Sequence, residues 1–389
     1  MGRRTSPFAA RRRAMGFSQE TFAYELDVDR TTVGRWERGE SEPQPEIRLK
    51  ISDLLGIPPA DLAGLLSSSG SVPMEVSRRV ASPGEPVGDE HLEQARTKIG
   101  SLLAAERDFG GAPIADLATQ TAAAFDRRLR ASGAGKGSER DAYATAAELY
   151  EVTGWFLIDA GRDSAVREAN HRALHYCSLA GDRGMEMLVT QNISMHAVES
   201  GNPVEGLTLA RSMQGHTLSP RLETMFTMRE ARALAALGDE QAGKLFTHAL
   251  SLLQDGTRSS DPPWAWWIDD DELRIQGARL HSDLCQWQDS IRLHNEHLGW
   301  VTREASGHAS VVAMHALCLA DMGYALTQVG AWRELEDVAR TLLGSAGEIT
   351  PRAYAAVRRL TRAVEGTPGA PADLRDLLHM LAAKIGESK

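Results

Sequence analysis

Apolar residues recur at helical spacing along almost the whole chain. From residue 89 to 385 nearly every window carries this period, rich in Ala and Leu. No stretch alternates Val, Ile or Thr between turn signals, so the pattern predicts an all-α body. Near the N-terminus the period is broken into short segments. Phe22, Ala23 and Leu26 share one face of a helix that Ser18 would cap. Asp27 suits the turn that follows, because Asp tolerates left-handed backbone. Asp29 would cap a second helix with Val33 and Trp36 buried and a stop at Gly39. Pro43 and Pro45, then Ile47, Leu49, Ile51, Leu54, Leu55, Ile57 and Leu62, predict two closing helices. The period is lost in residues 67–88, rich in Ser, Pro and Gly, which reads as a flexible linker. The division expected is therefore 1–66, 67–88 and 89–389.

The body is repetitive. Turn-like positions at Gly161, Gly201, Gly238, Cys285 and Gly330 are 40, 37, 47 and 45 residues apart, each between two helical stretches. Eight residues after each stand Ala169, Leu209, Phe246, Leu293 and Val338, all apolar, which predicts stacked hairpins that turn one face inward. Residues 89–132 should supply two leading helices. The unit at residues 232–240, Arg-Ala-Leu-Ala-Ala-Leu-Gly-Asp-Glu, followed by Phe246 and Ala249-Leu250, resembles a tetratricopeptide hairpin. The other units are degenerate and the spacing exceeds 34 residues. The resemblance covers roughly residues 140–345 and implies a TPR-like α-solenoid.

Charge changes the picture only when divided along the chain. The net charge is -10, but residues 1–66 balance ten Lys and Arg against ten Asp and Glu. The excess acid therefore belongs to the rest. The first thirteen residues hold five arginines and no carboxylate, a positive field suited to phosphate. That arginine-rich start leads into no apolar segment with a cleavage site, so no signal peptide is expected. Nor does any apolar run reach the roughly 18 residues a membrane helix needs. A cytoplasmic protein, on the nucleoid when bound to DNA, is the expectation. Three cysteines without Cys-x-x-Cys spacing predict neither disulfides nor a zinc knuckle.

The run from Gly16 to Gly39, with Ser18-Gln19-Glu20, a four-residue turn, and Thr32 followed by Trp36-Glu37-Arg38-Gly39, resembles the phage-repressor (XRE) family of helix-turn-helix proteins. The likeness spans about residues 7–66 and implies a five-helix DNA-binding domain. Asp27 replaces the family's usual turn glycine. Gly34 stands inside the second helix, where it costs on the order of 1 kcal/mol relative to Ala. In such a domain the exposed face near the start of the second helix meets base edges, which makes Arg30, Thr31 and Arg35 the candidate readers, with Gly34 leaving room for close approach. Gln19, Thr32 and Arg38 would meet phosphate, as would Arg3, Arg4, Arg11 and Arg13. Arg12 and Glu37 match positions that pair internally in the family. Its members bind double-stranded operators as symmetric dimers, so a homodimer joined through the body is implied.

A helix-turn-helix on a helical body resembles actinobacterial HTH-TPR transcription regulators, which implies control by a peptide, a small molecule or a protein partner. A body that only recruits another protein, without a small ligand, is the alternative. For ligand contact the candidates are Trp264, Trp266, Trp267 and Asp269, an aromatic wall beside the acid run Asp269–Glu272 that could hold a cationic peptide or amine. Histidines 281, 294, 297, 308 and 315 crowd one region without a recognisable metal set. Residues 133–138, Gly-Ala-Gly-Lys-Gly-Ser, lack the first glycine, the Ser or Thr directly after Gly-Lys and the preceding strand of a phosphate loop. No catalytic set, metal or cofactor is expected, and the chain reads as a regulator rather than an enzyme.

Overall fold

The structure, a computed structural model, describes residues 7–15, 17–26, 28, 30–38, 43, 45–55, 62, 85–254, 261–304 and 309–387. It is all-α, with no strand among the described residues, and divides into two compact units, Met1–Pro83 and Gly84–Lys389. The expectations for Arg3, Arg4, Gly16, Asp27, Asp29, Gly39, Ile57, His308 and residues 67–84 lie outside the described residues.

The first unit contains α1 (Pro7–Ala14), α2 (Gln19–Leu26), α3 (Arg30–Arg38) and α4 (Pro45–Leu55). Ser18 and Thr21 cap α2 reciprocally: Thr21 N–H donates to Ser18 Oγ at 3.0 Å, and Ser18 N–H to Thr21 Oγ1 at 2.8 Å. This satisfies donors that a helix start leaves open. Phe8, Phe22, Leu26, Val33, Trp36 and Ile51 lock the four helices around one core, which Leu62 also enters. Phe8 and Phe17 meet the Phe22 ring edge-on, at 6.1 and 5.5 Å between centroids.

The second unit opens with α5 (Asp89–Phe109) and α6 (Ala115–Ser132). Six antiparallel pairs follow: α7 (Glu139–Asp159) with α8 (Asp163–Ala180), α9 (Arg183–Glu199) with α10 (Pro203–Ser212), and α11 (Pro220–Ala236) with α12 (Gln241–Gln254). The last three are α13 (Asp270–Asp283) with α14 (Trp287–Glu304), α15 (Ala309–Val329) with α16 (Trp332–Gly344), and α17 (Pro351–Gly366) with α18 (Ala372–Glu387). In the first five pairs the turn is made by Gly161, Gly201, Gly238, Cys285 and Gly330, at φ 65°, 80°, 76°, 57° and 68°. Left-handed backbone is what ends a helix tightly, and only glycine adopts it without strain. Cys285 is the single non-glycine with positive φ among the described residues. Ala169, Phe246, Leu293 and Val338 are buried, and Leu209 packs partly buried against the core. The sixth pair was not marked by the repeat spacing. Thr350 caps α17, with Pro351 in its first turn.

Residues 85–88, read as the end of the linker, are fixed to the body. Val87 is fully buried, accepting from Gly135 N–H at 2.8 Å and donating to Gly133 at 2.9 Å, so the loop at 133–138 is a docking edge for this segment. Buried Asp126 on α6 ties α6 to α7 and α8. It accepts from Tyr150 at 3.0 Å and from Tyr176, and pairs with Arg130 and Arg172 at 2.8 and 2.9 Å.

The first helices of the pairs, α7, α9, α11, α13, α15 and α17, pack in sequence, and the row curls until its ends meet. Helix α17 touches α7, and α5 lies against α15. Arg352 on α17 reaches both Asp159 on α7, at 3.8 Å, and Glu199 on α9, at 2.7 Å. The curl leaves a cavity of about 750 Å³ inside the body.

Candidate DNA-reading surface

Helix α3 is held from behind. Val33 and Trp36 face the core, and Glu37 is fixed by Arg12 of α1 through a 2.7 Å ion pair with both side chains at least nine-tenths buried. The same guanidinium also donates to the Phe17 carbonyl. A buried pair of this kind sets orientation, because removing either partner leaves an uncompensated charge. The outward face of α3 presents Arg30, Thr31 and Arg35, all exposed. The Arg30 guanidinium lies 3.5 Å from Glu20 of α2, a solvent-exposed pair.

Three expectations change. Gly34 is buried with Val33 and Trp36, so it belongs to the packed side of α3 and offers no close approach to a base. Gln19 donates its side-chain amide to Glu37, so it also serves the Arg12–Glu37 network. Arg11 donates to the Leu55 carbonyl at 2.8 Å at the end of α4, so it closes the domain instead of projecting from it. Thr32 is half-buried and Arg13 exposed, while the Arg38 side chain lies outside the described residues. Tyr24, 84% exposed on α2, is a large apolar side chain that the sequence reading did not single out.

Two short helices in close succession, the second packed from behind and polar in front, define a helix-turn-helix. Residues 8–62 match the Helix-turn-helix family model, in keeping with an XRE-type domain. That family comprises DNA-binding regulators, and the match supports a DNA-binding transcription regulator. The match covers this unit alone. No curated protein and no solved structure matches the chain.

In the body, Trp264 and Trp267 stack at 6.5 Å within a short 3₁₀ turn, and with Trp266 they line the cavity. Asp269 does not. Its carboxylate caps α13, accepting from the Asp271 and Glu272 amides at 3.0 Å, so most of the acid run answers the helix dipole. Only Glu272 of that run lines the cavity. Two of the histidines have side-chain partners: His281 accepts or donates to Gln286 at 2.6 Å and meets Phe246 edge-on, and His297 pairs with Asp271 at 2.9 Å. Burial opposes the charged form of His297, but Asp271 and the buried Cys318 thiol raise its pKa to about 9. Among the described residues no three His, Cys, Asp or Glu converge to hold a metal ion, and no helix is long and apolar enough to cross a membrane.

Proposed function

We infer that the chain is a sequence-specific regulator that reads the major groove with Arg30, Thr31 and Arg35. Thr32, Arg13 and the remaining basic residues of the N-terminal segment position it on phosphate. The observation that carries this reading is the exposure of those three side chains on one face of α3, whose opposite face is fixed by Trp36 and the Arg12–Glu37 pair. Arginine forks favour guanine, and a rigid helix keeps them in register. One such helix reads only about half a site, so two chains act together as a homodimer joined through the TPR-like body. The body senses a peptide or small molecule and alters the spacing of the two reading helices, changing affinity without touching the base contacts. The cavity inside the body supports this role.

The decisive experiment compares binding to DNA from the chain's own upstream region with binding to scrambled DNA, at several salt concentrations. Specific binding should disappear in the Arg30→Ala, Arg35→Ala double variant while weak, salt-sensitive binding persists. Equal binding to both DNAs, unchanged in the variant, would overturn the base-reading assignment.

A further inference from the structure

Aromatic and thioether groups line the cavity: Trp155 from α7, the stacked pair Trp264 and Trp267, the 74% exposed Trp266, and Met185 and Met195 from α9. Such surfaces accept flat or irregular apolar bodies and attract cations to their π-faces. Opposite charges also line it, and most are already satisfied. Arg229 pairs with Glu272 at 3.4 Å, Arg279 with Asp321 and Glu199 at 3.0 and 3.2 Å, and Arg352 with Glu199 at 2.7 Å.

Three carboxylates are left over against one exposed cation, Arg107, which leaves a net negative surplus. Glu151 accepts a single hydrogen bond, from Asn192 at 2.9 Å. Among the described residues Glu106 and Glu148 find no hydrogen-bond or ion-pair partner at all. All three retain accessible surface and line the cavity. A cavity of about 750 Å³ falls in the range of small-molecule sites. Its unmet need is a positive charge on an apolar body.

We propose that this cavity is the effector site of the body and that its ligand is an organic monocation, an amine or quaternary centre on an aromatic or aliphatic frame. Glu106, Glu148 and Glu151 supply the counter-charge, and the tryptophan and methionine wall holds the frame. The assignment rests on the sensing role above and gives it a ligand chemistry. The acid run at residues 269–272, the sequence's apparent acid source, contributes only Glu272, which Arg229 already occupies.

Protonation follows the same geometry. Burial, with repulsion from Asp159 and relief from Arg107, lifts Glu106 to about 7. Glu151 rises to about 7 through burial and the nearby Glu148, against the Asn192 hydrogen bond. Glu148 is raised by burial and Asp182, against Arg96. A cation favours the ionised forms, so its binding should release protons near neutrality and tighten as pH rises from about 6 to about 8.

Tetraphenylphosphonium and tetraphenylborate, of the same shape and opposite charge, test the proposal by titration calorimetry and tryptophan fluorescence on the full chain. The phosphonium should bind one site per chain, release protons, and bind at least about tenfold more tightly than the borate. The Glu106→Gln, Glu148→Gln double variant should weaken the phosphonium at least about tenfold and leave the borate no weaker. Equal affinity for the two ions, or an unaltered double variant, would overturn the proposal. Trp266→Ala, at an exposed position that leaves folding intact, should weaken the phosphonium severalfold, and no change there would remove the aromatic wall from the site. Tight phosphonium binding that leaves DNA affinity untouched keeps the cation site and overturns instead the sensing role on which it rests.

Discussion

Arg352 and Glu199, 153 residues apart in sequence, meet at 2.7 and 2.8 Å through one guanidinium nitrogen and both carboxylate oxygens. The contact closes the curl of inner helices, since Glu199 also receives Arg279 and Arg352 also reaches Asp159. Burial alone would raise the Glu199 pKa, but Arg352, Arg279 and Arg232 hold it down to about 2. A carboxyl with a depressed folded pKa stabilises above its unfolded value near 4.5, and that contribution is lost as pH falls toward about 2. Glu199→Gln should therefore cost about 3 kcal/mol at neutral pH. The gap from wild type in urea denaturation should narrow below about pH 4.5. A gap that stays constant down to about pH 2 would show that the pair does not titrate as described.

His294 on α14 is fully buried, and among the described residues neither ring nitrogen has a hydrogen-bond partner. Burial lowers its pKa to about 4; Asp321 opposes this, while Arg279, His297 and Arg359 reinforce it. The unfolded chain binds its proton near 6.5 and the folded chain does not, so wild-type stability should fall as pH drops from 6.5 to about 4. His294→Leu removes both the orphaned nitrogens and that proton uptake. It should gain about 1–2 kcal/mol at neutral pH and more at about pH 5. A destabilised variant at both pH values would refute the absence of a partner.

Much of this architecture is legible because its signals are local. Glycine at the left-handed turns is dictated by sterics at a single residue, so Gly161, Gly201, Gly238 and Gly330 mark hairpins without knowledge of any neighbour. The cavity is different. Its helices α9, α11 and α13 are buried nearly all round, with Gln191, Asn192, Arg229, Gln276 and Arg279 inside, so no polar face distinguishes lining from core. Glu148 and Glu151, one turn apart on α7, look like an ordinary solvated pair until α5 and α9 pack over them. In the head, Arg11 is indistinguishable from its arginine neighbours until the end of α4 brings the Leu55 carbonyl to it. Helix geometry at the start of α3 suggests that Gly34 leaves room for a base, whereas the structure buries it beside Val33 and Trp36.

Cys285 occupies a hairpin turn that four other pairs build with glycine, at φ 57° and with an exposed side chain. A left-handed backbone costs a residue with a Cβ about 1 kcal/mol. Cys285→Gly should stabilise the body by about that amount, raising its melting temperature by about 2 °C. Loss of stability would mean that the thiol makes a contact worth more than the strain.

Glu20 lies 3.5 Å from Arg30 with both side chains more than three-fifths exposed, a pair worth little to folding. In the proposed docking it would compete with DNA for the guanidinium and bring a negative charge toward the phosphates. Glu20→Gln should leave the melting temperature within experimental error and strengthen operator binding by about threefold at low salt, with the gain fading as salt screens it. Weaker binding at low salt would show that Glu20 positions Arg30 for reading.

Arg35 and Arg13 are both exposed cations of the head, but they sit on different elements and should fail differently. Arg35 projects from the exposed face of α3 proposed to read bases, so its loss should cost about 1–3 kcal/mol against the preferred operator and relax selection at one base position. Arg13, at the end of α1, is exposed and on the proposed reading meets phosphate alone. Its loss should weaken all sequences alike and reduce the slope of log K against log salt by about one. Measuring both variants on matched and single-mismatch operators across salt separates the two effects. The opposite pattern, with Arg13→Ala altering base preference and Arg35→Ala only the salt slope, would move the reading surface from α3 to the N-terminal helix.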